Sequence, residues 1–117
     1  MPGPSAERAF KFLDDPGRIL LTSPFVYLEV APKATFFKRH LECKFYNQFF
    51  EKAQWYRDLA KMEAAARPEA IKNGLGAMDA LHLAAAYLLH ADEFITTEKP
   101  AKAIHRSSLI TVRYLFG

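Results

Sequence analysis

With 117 residues, half of them hydrophobic and a quarter charged, the chain is long enough for one core, too short for several, and unlike a disordered polypeptide. No run of about 18 apolar residues occurs, and the start, MPGPSAERAF, lacks both regions of a secretion signal; a membrane protein is excluded and a cytoplasmic one expected. The formal charge of +3 mildly favours a polyanionic partner, and a single cysteine, Cys43, excludes an internal disulfide framework. Cys43 lies in the aromatic stretch LECKFYNQFF and reads as a packing residue.

In chain order, SAERAFKFLDD places Ala6, Phe10 and Leu13 at helical spacing, and DPG stops that helix. RILLTS is a short apolar run of strand type, closed by Ser23 and Pro24. Pro24 suits a first helical turn, and FVYLEV continues the helix until Pro32, which removes a backbone donor and is expected to kink or restart it. Phe37, Leu41, Phe45 and Phe49 recur every four residues, which predicts a long amphipathic helix over ATFFKRHLECKFYNQFFEKAQ. QWYRDL is compatible with a strand, and KMEAAARPEAIKNG with a helix interrupted at Pro68 and capped by Gly74. An apolar helix in GLGAMDALHLAAAYLLHA, a strand in DEFITTE, a short helix AKAIHRS and a strand LITVRYL follow. This alternation predicts one α/β domain over residues 1–117, with a mostly parallel sheet flanked by helices.

Acids fall at the places where such sheets bind ligands, beyond the carboxyl ends of strands. Glu29 follows RILLTS by a few residues, near Phe25, Val26 and Val30; Asp79 opens the apolar helix; Glu98 closes DEFITTE. Each has a plainer reading: Asp79 as a partner of the helix dipole, Glu98 as a solvated strand end, and Glu29 as a rim or paired residue. If the three converge, the set offers oxygen ligands alone, and Mg2+ or Mn2+ is the natural occupant. His82, one turn after Asp79, is either an orienting group or a satisfied core histidine. Lys99, His105 and Arg106 are either contacts for an RNA backbone or a solvated basic face. Asp92 and Glu93 read as surface acids.

The segments SPFVYLEV, GLGAMDALHLAAA and ADEFITTEK, in this order and spacing, resemble the PIN domain family, small metal-dependent ribonucleases many of which are toxins of bacterial toxin–antitoxin pairs. The resemblance runs from about Ala6 onward. It implies a three-layer fold and hydrolysis of RNA phosphodiesters with Mg2+ or Mn2+ held by Glu29, Asp79 and Glu98. Thr97 then supports the site, an antitoxin is a possible partner, and no side-chain nucleophile is needed. The family usually has Asp where this chain has Glu98, so one extra methylene moves that charge by about 1.5 Å. Resembling domains also open with a central strand ending in an aspartate. That strand is expected to be missing here, between RILLTS and DEFITTE, and neither Asp14 nor Asp15 takes its place.

Two other classes remain open. One is a catalytically impaired PIN-like module that binds an antitoxin or RNA. The other is an unrelated small-molecule α/β domain, disfavoured because no Gly-rich phosphate loop is present. The aromatic stripe is read as core, with a surface for an antitoxin or a homodimer partner as the alternative.

Overall fold

The computed structural model describes residues 4–115 of a mixed α/β chain. The chain divides after Trp55 into two compact units. The first contains α1 (Pro4–Asp14), β1 (Leu21–Thr22), α2 (Pro24–Phe36), α3 (His40–Lys52) and β2 (Gln54–Trp55). The second contains α4 (Leu59–Asn73), α5 (Ala77–Leu88), β3 (Glu93–Thr96), a 3-10 turn (Ala103–Arg106) and β4 (Thr111–Tyr114).

Aromatic rings hold the first unit together. Phe10 of α1 meets Phe45 edge-on at 5.2 Å, Phe45 stacks on Phe49 at 6.1 Å, and Phe50 reaches Tyr27 at 5.1 Å and Trp55 at 5.5 Å. Such pairs add about 0.5–1.5 kcal/mol each beyond the area they bury. Leu13 and Ala34 are the buried apolar residues of this unit, whereas α3 itself has no fully buried residue. β1 pairs in parallel with β2, Leu21 opposite Gln54 and Thr22 opposite Trp55.

The expected long aromatic helix is in fact two. α2 ends at Phe36 because Lys38 takes the left-handed conformation (φ +53°), with the Lys38 N–H donating to Thr35 O and the Arg39 N–H to Ala34 O. This is a Schellman ending, and it satisfies carbonyls that the helix would otherwise orphan. The stripe therefore splits: Phe45 and Phe49 serve the core, while Phe37 and Leu41 are exposed.

Neither internal proline breaks its helix. α2 runs through Pro32 and α4 through Pro68. Each proline frees the carbonyl four residues earlier, and those residues, Leu28 and Ala64, are exposed, so the freed carbonyls are open to solvent.

In the second unit α4 and α5 pack as a hairpin around Ala66, Leu75, Ala80, Leu83, Ala84, Ile104 and Ile110, with Phe94 and Val112 against them. Asp58 caps α4 by accepting from the Lys61 N–H at 3.1 Å. Gly74 ends it at φ +67°, as its sequence position predicts. β3 and β4 are parallel, in the register Glu93–Thr111 to Thr96–Tyr114. Among the described residues, parallel pairing is thus observed as two two-stranded sheets, one in each unit, and not as the single sheet expected.

A buried carboxylate fastens this unit. One oxygen of Glu69, a residue 5% exposed, accepts from Asn73 Nδ2 (3.0 Å), the Ser107 hydroxyl (2.6 Å) and the Ser108 N–H (3.0 Å). The Ser107 bond, with the two neighbouring N–H groups, holds the Glu69 carboxyl below its usual range against the opposing effect of burial.

Candidate functional site

Asp79 occupies the first turn of α5, whose next turn and a half, Ala80 and His82 to Ala85, is buried. Its side chain is half-buried, and three residues on, on the same face, His82 is 8% exposed. Neither residue is without a partner.

α5 closes with a second left-handed residue other than glycine, His90 (φ +60°), and the chain then enters β3 within a few residues. Phe94 packs on the cluster that contains Ala80 and Leu83, so β3 folds back along α5. The first turn of α5 and the carboxyl end of β3 consequently belong to the same end of this unit. β3 stops at Thr96, two residues earlier than DEFITTE suggests, and Thr97 and Glu98 form an exposed bend. The hydroxyl that shapes this bend belongs to Thr96, which accepts from the Glu98 N–H at 3.0 Å. The Glu98 carbonyl in turn accepts from His105 Nε2 at 2.7 Å, which assigns the proton to that nitrogen. His105 is therefore spent on backbone. Arg106 likewise donates to the Asn73 carbonyl at 2.9 Å, whereas the exposed Lys99 has no side-chain hydrogen bond or ion pair among the described residues.

Glu29 lies in α2 of the first unit and is exposed, contrary to its expected place beside a buried stripe. The buried residue of α2 is Ala34, five positions later and thus about 140° around the helix from Glu29. Its charge is felt at Tyr46, whose phenol is pushed up chiefly by burial, with the Glu42 and Glu29 carboxylates adding to the effect. Asp15, set aside from the catalytic role, is a turn former: one oxygen accepts from the Gly17 N–H at 2.9 Å and the other pairs with Arg18 at 3.5 Å. Asp15 and Arg18, together with Leu13, Asp14, Lys52 and Gln54, line a surface cleft of about 460 Å3.

Asp79 and Glu98 offer hard oxygen donors, the chemistry that Mg2+ or Mn2+ takes; such ions often keep several waters and use one or two carboxylates. Among the described residues of either unit, no group of three or more His, Cys, Asp or Glu side chains is gathered to hold a metal ion. Two polar residues have a burial that the sequence reading did not anticipate. Thr22 and Ser23, at the carboxyl end of β1, are 4% and 0% exposed, and their hydroxyls have no hydrogen-bond partner among the described residues. Their only signal was the step from apolar strand to proline.

No protein-family model, curated protein or solved structure matches the chain. Among the described residues no helix is long and apolar enough to cross a membrane.

Proposed function

We propose that the chain is a PIN-like ribonuclease that hydrolyses RNA phosphodiesters with Mg2+ or Mn2+, of the kind found as toxins beside an antitoxin. The observation that carries the reading is Asp79: a half-buried carboxylate opening an otherwise apolar, buried helix, at the end of its unit where β3 finishes and Glu98 follows. The order of SPFVYLEV, GLGAMDALHLAAA and ADEFITTEK supports it, as does the parallel pairing within each strand pair.

A bound divalent ion would supply an activated water and charge stabilisation at the phosphate. In this reading Asp79 and Glu98 are the carboxylates that hold it, with Thr97 beside Glu98 as a further oxygen donor. His82 orients the Asp79 face from the buried side. Cleavage of a structured RNA in Mn2+ tests the reading. Wild type is expected to cut and Asp79→Asn to lose at least tenfold in rate, whereas equal rates in the two proteins would remove Asp79 from the site.

The exposure of Glu29 and Glu98 favours a second reading, a catalytically impaired PIN-like module that binds an antitoxin or RNA. It predicts no cleavage by wild type under the same conditions.

A further inference from the structure

The left-handed turn that separates α2 from α3 presents two phenylalanines to solvent. Phe36 is 74% exposed and Phe37 59%, their rings edge-to-face at 5.0 Å. Exposed aromatic pairs are unusual, because two rings left in water forgo several kcal/mol of burial, about 1.5–3 for each. Cations flank this turn. The Arg39 guanidinium lies 5.4 Å from the Phe37 ring centre, Lys38 occupies the turn itself, and Lys33 sits one turn back on the face of Phe37. From Lys33 to Lys44 the sequence KATFFKRHLECK holds one acid, Glu42, and that acid is paired with Arg39 at 3.6 Å. Lys33 and Lys38 are exposed and have no ion-pair partner among the described residues.

We infer that this α2–α3 tip binds single-stranded nucleic acid, bases stacking on Phe36 and Phe37 while Lys33, Lys38 and Arg39 meet phosphates. Ring faces and ammonium groups interleaved within one turn are what a single strand requires, because every base has a π-face and every link a negative charge. A duplex is excluded as ligand, since its bases are already stacked. A bilayer fits less well: the apolar surface is a short turn hemmed by charges, whereas interfacial helices bury a continuous apolar face. A second copy fits less well too, because a stable dimer buries roughly 800 Å2 per partner and these rings offer a fraction of that.

The inference does not rest on catalysis. Binding is measured by fluorescence anisotropy with labelled U12 and A12 RNA in excess EDTA, where no metal-dependent cleavage occurs, so its failure and that of the ribonuclease reading are separable. Wild type is expected to bind both oligonucleotides and to ignore a 12-base-pair duplex. The slope of log K against log salt should be near −2, from about 0.7 per phosphate contact. Phe36→Ala/Phe37→Ala should weaken binding at least tenfold with the slope kept, because stacking is insensitive to salt. Lys38→Gly keeps the left-handed turn, removes one cation, and should lower the slope by about 0.7. All the substituted side chains are exposed, so circular dichroism should be unchanged. Unaltered affinity in the double variant overturns the inference. So does duplex binding as tight as single-strand binding, and so does a tip-dependent response to phosphatidylserine vesicles or to protein concentration in place of RNA.

Discussion

Glu69 shows how much one side chain can fasten. Three donors converge on a single carboxylate oxygen, joining α4 to the segment that leads into β4, and Arg106 adds a tie from the same segment to the end of α4. Removing the charge while keeping the shape, Glu69→Gln, should cost about 1.5–3 kcal/mol, the usual worth of hydrogen bonds to a charged group. The effect is read as a fall in thermal midpoint. The sign of the pH dependence follows from a native pKa depressed below the usual glutamate value of 4.5. The stabilisation is complete above that value and is lost as pH falls through the lower native one. Wild type should therefore lose stability below about pH 4.5, and Glu69→Gln should show a shallower acid slope. An identical slope in the two proteins would show that Glu69 does not govern acid unfolding. Nothing local marks Glu69 in the sequence, where it looks like one more helix-surface acid in ARPEAIKN. Its importance comes from Ser107 and Ser108, nearly forty positions away.

Among the elements, the helices are where sequence and structure differ most instructively. Gly74 was recognisable as a helix end because glycine reaches the left-handed region at no steric cost. Lys38 and His90 perform the same task and gave no such sign, since an L side chain in that region is strained and is not chosen on local grounds. The four-residue aromatic spacing was genuine, yet it ran across a helix end, because periodicity reports which side chains share a face and is blind to a single reversed φ. Pro32 and Pro68 were expected to interrupt their helices; exposure of the preceding turn let both helices continue. Pro68→Ala should accordingly restore the bond to the Ala64 carbonyl and stabilise the chain by about 2 kcal/mol, the helix gain less the added unfolded-state entropy. A lower thermal midpoint in this variant would mean that the proline ring packs against something the helix needs.

Across the molecule, the two units differ in how they are held: rings in the first, small aliphatic side chains and one buried carboxylate in the second. If divalent metal binds the native chain, Mn2+ must stabilise it by mass action, by about 1.4 kcal/mol at ten times the dissociation constant, and so raise the thermal midpoint. EDTA should reverse the rise and Asp79→Asn should abolish it; no shift in wild type at millimolar Mn2+ would favour the non-catalytic module. The acids Glu29, Asp79 and Glu98, the helix–strand alternation and the parallel sense of pairing were all legible in the chain, because charge, hydrophobic period and connection length are local properties. Folding alone decided that the strands pair as two two-stranded sheets, that Glu29 and Glu98 are exposed while Asp79 is half-buried, and that Phe36 and Phe37 stand in solvent. Those outcomes depend on which residues distant in sequence come to share a surface, and neither period nor composition contains that information.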